Sequence, residues 1–377
     1  MIFKAVRRIF TAGMNLLLLH EFHRGFGARF SESNGMEVVA DYGDGATEYR
    51  ALRESAGALD LSFRSRICLA GNDRVRFLHG QITNDVKKLR DGEGCYAALT
   101  TAKGKMESDL NVFSLPDELL LDFEPGLAEK ISRRLEKFIV ADDVQITDAA
   151  PYYGLLSVQG PKAEQVISAA GLANGALEKE RSISKISDGA LGEIYLANLP
   201  RLGMNGFDVF APNQSLGAVA DKLAAAAKDV GGRLCGWTAF ETARIEAGIP
   251  RFGADMTEAN LPMECGIDQA MSFNKGCYIG QEVLNRVHTM GHVTKELRGL
   301  RLADDLKALP RAGDKLFHNG KETGFVTSAV KSPALKANIA LGYVRREANG
   351  IGTELMLKTA EGESLAKIVE LPFVKAV

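Results

Sequence analysis

The pattern of apolar residues changes near Thr294, and this change constrains the fold more than any other feature of the sequence. Before it, apolar residues recur at helical spacing in several segments; after it, short stretches alternate between apolar and polar residues. Alternation with a period of two is typical of half-buried strands. Asn319-Gly320 lies between two such stretches and is a strong hairpin signal. The sequence therefore predicts a small C-terminal all-β domain, which we expect to be a barrel.

The residues before this change predict strands mixed with packed helices. A strand over Gly154–Val158 is followed by a helix, and the order recurs as a strand over Gly206–Phe210 and a helix over Leu216–Val230, with Asn213 as its N-cap. A chain of 377 residues is too long for one ordinary core. We therefore predict an α+β fold. The predicted domains are residues 14–150, 151–293 and 294–377.

Composition and charge bear on partners and compartment. The formal net charge of −2 gives no long-range attraction to nucleic acid or to an anionic membrane, so an anionic ligand must be met by a local basic cluster. The five cysteines are an odd number without a CxxC pair, which argues against a disulfide framework and for a reducing compartment. His288 and His292 lack a third ligand at a fixed offset, so no metal site is predicted. We expect a cytoplasmic protein without nucleic-acid or membrane partners.

The N-terminal segment superficially resembles a signal peptide. Basic residues between Lys4 and Arg8 precede an apolar run that ends at Leu19. Small and polar residues interrupt the run, and no small-residue cleavage site follows it, so secretion is not the expected outcome. Translation from Met1 and translation from Met14 both remain open, and the second is the simpler explanation of this segment.

The stretch from Asn274 to Arg286 has the most unusual chemistry. Cys277 lies two residues after Lys275 and between two glycines, with Arg286 further along the chain. A nearby cation stabilises a thiolate, and Gly276 permits close approach of the backbone to a ligand, so the thiol could be reactive and accessible. The alternative is a small buried cysteine in a tight turn, which is the common fate of a free cysteine.

Two aspartates are candidates for a ligand site. Asp109 precedes the alternating run from Leu110 to Phe113, where an acid at a strand entrance could accept a proton or act as an electrostatic anchor; the alternative is a solvated turn residue. Asp208 lies between Phe207 and Val209 in an otherwise apolar strand, so its charge needs a partner if the strand is half buried. The alternative for Asp208 is the solvated face of an edge strand.

These segments resemble blocks of the folate-binding YgfZ/GcvT superfamily, whose founding enzyme is the T protein of the glycine cleavage system. The resemblance runs over residues 17–377. Phe77–Val86 is similar to the "FLQGQ-TND" block of the YgfZ branch and departs from it only at His79, and Thr242–Pro250 matches the "RLEAG" segment that both branches share. Lys275–Glu282 matches the "KGC-x-GQE" signature, which marks the YgfZ branch and is absent from true T proteins.

The resemblance implies a cloverleaf of three domains around a central cavity that holds tetrahydrofolate or a derivative. Tyr96 falls where an aromatic ring packs against the folate, and Asp109 falls at the carboxylate that the T protein uses near the folate nitrogens. Asp208 falls where the family has a glutamate that holds the pterin, and Arg244 matches the arginine of the shared block, which could hold an anionic part of the ligand. Lys275 completes the residues expected to bind the cofactor.

Three positions depart from the T-protein pattern and weaken the case for its catalysis. Ser108 replaces the first acid of the "GG-x-x-DD" pattern, Lys105 replaces its second glycine, and Arg201 stands where the T protein has a tyrosine. Asp109, the second acid, is retained.

Three functions follow from the resemblance. The main prediction is a tetrahydrofolate-binding protein of the YgfZ branch that supports assembly or repair of iron–sulfur proteins, with iron–sulfur proteins or their assembly factors as partners and Cys277 as the key thiol. The alternative is a folate-dependent aminomethyltransferase that uses Asp109. The second alternative is an interaction protein without catalysis, so the sequence leaves open whether the protein is an enzyme.

Overall fold

The computed structural model describes residues 15–173, 177 and 179–375. Met14 and the segment before it, where secretion and the translation start were considered, lie outside the described residues. No helix in the described part of the chain is long and apolar enough to cross a membrane.

Helices and strands alternate over the first three quarters of the described chain, and strands predominate after them. The α-helices are α1 His20–Gly25, α2 Gly45–Glu54, α3 Arg74–His79, α4 Ala128–Glu136, α5 Ala163–Ala169, α6 Leu216–Asp229, α7 Trp237–Glu246 and α8 Gln281–Met290. The strands before the barrel are β1 Arg29–Ser33, β2 Met36–Asp41, β3 Gly57–Asp60, β4 Ser65–Ala70, β5 Gly94–Thr100, β6 Met106–Ser114, β7 Glu118–Phe123, β8 Gln145–Asp148, β9 Tyr153–Gln159, β10 Ile183–Asp188, β11 Gly192–Asn198, β12 Gly206–Pro212 and β13 Arg233–Leu234.

The C-terminal strands form a closed barrel in the order β14–β17–β16–β15–β18–β19. Their bounds are β14 Lys295–Leu302, β15 Lys315–His318, β16 Lys321–Ser332, β17 Ala337–Arg345, β18 Glu354–Thr359 and β19 Gly362–Val369. Asn319 and Gly320 both have left-handed backbone angles, with φ of 50° and 76°, as a tight hairpin between β15 and β16 requires. The predicted α+β class and C-terminal β-barrel are confirmed.

Two larger β-sheets precede the barrel in the chain. One is a five-stranded sheet in the order β5–β6–β7–β4–β8, and the other is a six-stranded sheet in the order β10–β11–β12–β9–β3–β13. Strand β3 lies within the predicted first domain yet pairs with β9, so the second sheet takes a strand from an earlier part of the chain. The division at residues 150 and 293 stays a prediction.

Local chemistry explains where several elements begin. The side chain of Asp44 accepts a hydrogen bond from the Thr47 amide and caps α2. The predicted cap of α6 is wrong, because the helix begins at Leu216 after Ser215, and the Asn213 amide donates to the Ala150 carbonyl instead. Asn213 is therefore used to fix the loop before the helix.

Candidate functional site

A cavity of about 710 Å³ lies where the two sheets meet the loops that follow α7. This volume is within the range of pockets that hold a cofactor or a drug-sized ligand. Strand β6 contributes Asp109 and Asn111 to its wall, and the loop between β11 and β12 contributes Arg201. Side chains from distant parts of the sequence therefore face one space.

Asp109 and Tyr96 form the acidic part of the cavity wall. The Tyr96 hydroxyl donates a hydrogen bond of 2.7 Å to Asp109 Oδ2, across the paired strands β5 and β6. Oδ1 of Asp109 is buried and has no hydrogen-bond partner among the described residues. A buried polar atom without a partner is costly, so this oxygen is the natural contact for a donor group of a ligand. Asp109 lies within β6, and not at the strand entrance as the sequence suggested.

The surroundings of Asp109 favour its protonated form. Burial is the main cause, the negative charge of Glu124 adds to it, and the two together outweigh the hydrogen bond from Tyr96 and raise the pKa of Asp109 to about 6. A carboxyl group with a pKa near 6 can exchange a proton close to neutral pH, which suits a general acid or base.

A row of buried ion pairs forms the basic part of the wall. Asp122 accepts from Arg64 at 2.8 Å and from Arg201 at 2.7 Å. Glu124 accepts from Arg64 and from Arg251, each at 2.7 Å. Burial opposes the charge of Asp122, but the two arginines outweigh burial and hold the pKa of Asp122 well below its usual range. All three arginines line the cavity, and their charges are balanced by the carboxylates with which they pair.

Arg244 and Asp208 are both committed to protein partners. Arg244 lines the cavity, but its guanidinium is already paired with the carboxylates of Asp255 and Glu241. Asp208 is fully buried, is bonded to Arg201, and is not among the described residues that line the cavity. Direct contact of either residue with a folate stays a prediction.

The loop with Cys277 does not contribute to the cavity wall in the described part of the chain. The ammonium of Lys275 donates to the carbonyls of His79, Ile82 and Asn84 at 2.6 to 2.8 Å, and burial lowers its pKa to about 8. Lys275 thus fixes the loop to the end of α3. Arg286, which was expected to favour the thiolate, pairs with Glu282, and Cys277 is exposed at the surface.

Several cavity residues were not found from the sequence. Arg64 and Arg251 have no local signature, and Arg201 was noted only as a departure from the T-protein pattern. A signal was available in Asp122 and Glu124, because two carboxylates spaced by two residues in the apolar run from Leu119 require basic partners on one face of the strand. The described residues contain no group of three His, Cys, Asp or Glu side chains that could hold a metal ion.

Comparison with known proteins gives a family for this architecture. Residues 19–275 match the family described as the GCVT N-terminal domain, and residues 295–375 match the glycine cleavage T-protein C-terminal barrel domain. An aminomethyltransferase from Geobacillus sp. is 30% identical over 361 residues, which cover 95% of this chain and 98% of the relative. An aminomethyltransferase from Halalkalibacterium halodurans is 29% identical over 361 residues, with coverage of 95% and 97%.

A solved structure has the same fold over nearly the whole chain. The glycine cleavage system aminomethyltransferase T from Bartonella henselae is 26% identical and superposes with a TM-score of 0.88, covering 97% of this chain and 99% of that one. In this architecture, two sheets and the loops beside them line an open cavity, and a β-barrel follows them in the chain. The chain belongs to the glycine cleavage T-protein family.

The family assignment bears on three of the sequence predictions. A relationship to the T protein is confirmed, whereas the YgfZ branch is not. The prediction of a tetrahydrofolate cofactor is confirmed at the level of the family, whose aminomethyltransferases use tetrahydrofolate. The relatives' names support the aminomethyltransferase alternative more than the main prediction of an iron–sulfur role.

Proposed function

We propose that this protein is a folate-dependent aminomethyltransferase that binds tetrahydrofolate in the 710 Å³ cavity and uses Asp109 in the transfer step. The observation that carries the proposal is the buried, unpartnered Oδ1 of Asp109 on the cavity wall. A nitrogen of the folate can donate to this oxygen, and the Tyr96 hydroxyl keeps the carboxyl group in place. The relatives named aminomethyltransferase support the same reaction class.

The proposed reaction needs a proton acceptor, and Asp109 takes this role. In aminomethyl transfer from a lipoyl carrier, the carbon–sulfur bond breaks, the carbon becomes bonded to folate nitrogens, ammonia leaves, and the carrier thiol is restored. The two folate nitrogens that bond to this carbon lose one proton each; one proton leaves with the ammonia and the other restores the carrier thiol. The ionised carboxylate of Asp109 accepts a proton from a folate nitrogen and passes it to a leaving group, and its pKa of about 6 keeps most of the group ionised at pH 7. Tyr96 remains protonated because burial and Asp109 raise its pKa well above the usual value.

The test is a transfer assay with the full-length protein. We expect the protein, an aminomethylated lipoyl-carrier protein and tetrahydrofolate to yield one equivalent of ammonia for each one-carbon-loaded folate. Omission of tetrahydrofolate should remove both products. Tight folate binding without transfer from any lipoyl carrier would exclude this reaction while leaving the ligand correct.

A second candidate is the iron–sulfur role of the YgfZ branch, and Cys277 is the observation that favours it. The thiol is exposed in the segment that matches the YgfZ signature, on a loop that Lys275 fixes to α3. If a partner protein recognises the thiol, Cys277→Ala should lower the activity of iron–sulfur enzymes in cells, while the thermal unfolding of the variant stays unchanged. Cys68→Ala, which removes a half-buried cysteine of β4, is the control. Normal iron–sulfur enzyme activity in the Cys277→Ala strain would exclude this role.

A further inference from the structure

The carboxylate of Asp208 is held by three donor groups of the protein. Arg201 Nε lies 2.9 Å from Oδ2 and 3.2 Å from Oδ1, and Arg201 Nη2 lies 2.6 Å from Oδ2. The Ser157 hydroxyl donates to Oδ1 at 2.7 Å. A carboxylate has about four acceptor positions, so three donor groups leave little capacity, and the side chain of Asp208 is fully buried. Asp208 therefore anchors Arg201.

Arg201, which lines the cavity, retains one amino group without a protein partner among the described residues. Its Nε and Nη2 groups are bonded to Asp208 and Asp122, whereas Nη1 has no partner among the described residues. Nη1 is also absent from the fully buried side-chain atoms without a partner, so this group is partly accessible, and Arg201 lines the cavity. A guanidinium has five N–H donors and no acceptor, so Nη1 can bind only an acceptor group.

Arg201 is held rigidly in this position. Asp122 bridges it to Arg64, and Asp122 also accepts from the Asn111 amide at 3.1 Å. The side chain of Arg201 is 8% exposed, so the surrounding ion pairs are shielded from water and from salt. A guanidinium that is already oriented loses little further freedom when it binds a ligand, which favours affinity and specificity.

The unpaired Nη1 donor of Arg201 and the unpaired Oδ1 acceptor of Asp109 belong to neighbouring parts of the cavity wall. Asn111 is two residues beyond Asp109 on β6, so both side chains point to the same face, with their Cα atoms about 7 Å apart. Asn111 and Arg201 share Oδ2 of Asp122. The cavity therefore offers an acid, Asp109, for a donor group and a guanidinium, Arg201, for an acceptor group within the span of one small molecule.

We propose that Arg201 is the specificity-determining residue of the cavity and that its Nη1 group binds a carboxylate of the ligand, while Asp208 positions Arg201. This inference rests on the proposed function for the place of Asp109, and it adds the class of molecule that is recognised. The carboxylate belongs either to the glutamate tail of the folate or to a small amino acid bound beside it. In both cases the recognised chemistry is an anionic carboxylate that meets a buried guanidinium.

The experiment compares matched ligands with and without the carboxylate. Tetrahydrofolate and its α,γ-diamide differ only in the two carboxylates of the glutamate tail, and glycine and glycinamide differ in one carboxylate. Titration of each into the full-length protein, followed by calorimetry or NMR, should show a preference of at least about 10-fold for the acid in one pair. The pair that shows it identifies the source of the carboxylate. In Arg201→Gln the preference should disappear.

Control variants separate recognition from folding. Arg133→Gln removes an exposed arginine of α4 and should leave the preference unchanged. If Arg201→Gln does not fold, Arg201→Gln/Asp208→Asn removes both charges of the pair and serves as the test. An unchanged preference in the folded variant would overturn the inference. Stronger binding of tetrahydrofolate in Arg201→Gln would also overturn it, because the released Asp208 would then be the residue that holds the pterin.

The outcomes distinguish this inference from the proposed function. Transfer to tetrahydrofolate without any preference for a carboxylate contradicts only the role of Arg201. Binding of glycine but not of tetrahydrofolate contradicts only the proposed function. Binding of none of the four molecules contradicts both.

Discussion

Asp109→Asn should lower the rate of aminomethyl transfer by about 10²- to 10⁴-fold, the range that general acid–base groups contribute. The amide still accepts the hydrogen bond from Tyr96 but cannot accept a proton from the folate. Tetrahydrofolate affinity should change much less than the rate. In the unaltered protein the rate should fall below pH 6, because the pKa of Asp109 is about 6 and the protonated form is inactive as a base. The pH profile of single-turnover transfer measures both effects.

A measurement of stability distinguishes the lower transfer rate of Asp109→Asn from a loss of folding. The folded-state pKa of Asp109 is raised, so the folded state favours the protonated group, and stability is lost as the pH rises through about 6. Removing the charge should therefore stabilise the protein at pH 7 by on the order of 3 kcal/mol in urea unfolding. Asp117→Asn, in an exposed turn, is the control for both measurements. A variant of Asp109 that is less stable and equally active would contradict the assigned role.

Asp122→Ala should destabilise the protein by about 3–5 kcal/mol, because it leaves Arg64 and Arg201 as buried charges without their shared partner. Both guanidinium groups would need new acceptors or water, and neither is more than 9% exposed. Urea unfolding at pH 7 gives the free energy directly, with the slope of the transition as a check on two-state behaviour.

The loss of stability caused by Asp122→Ala should depend on pH in a defined direction. The folded-state pKa of Asp122 is lowered by the two arginines, so its contribution is complete above the unfolded value of about 4 and is lost as the pH falls toward the folded value. The difference between the unaltered protein and Asp122→Ala should therefore shrink in acid. Asp305→Ala removes an exposed aspartate and should be neutral. A cost below 1 kcal/mol at pH 7 would show that the network does not stabilise the fold.

Local sequence patterns were sufficient for most of the fold. Period-two alternation found the barrel strands, and Asn319-Gly320 found the hairpin that joins β15 to β16, because a strand and a tight turn depend on neighbouring residues. Strand β3 was not assigned to its sheet. Its pairing with β9 joins residues about a hundred positions apart, and no local pattern encodes such a contact.

The site was only partly accessible from the sequence. Tyr96 came from the family resemblance, and Asp109 from its local pattern and the resemblance together; in the structure, the Tyr96 hydroxyl lies 2.7 Å from Asp109 Oδ2. Asp122 pairs with Arg64 and with Arg201 across 58 and 79 residues of chain, so the charged residues are visible in the sequence but their pairing is not. Lys275 was expected near the ligand, yet the last residue of α3 and the segment after it offer three carbonyls that need a donor, and the lysine satisfies them.

Formation of one-carbon-loaded folate in a single turnover tests the central claim most directly. Excess protein is mixed with aminomethylated lipoyl-carrier protein and tetrahydrofolate at pH 7, and ammonia and the folate product are followed together. The account predicts stoichiometric release of both products from the unaltered protein and a rate at least about 100-fold lower from Asp109→Asn. Equal rates in the two proteins, or no product from the unaltered protein while tetrahydrofolate is bound, would contradict it.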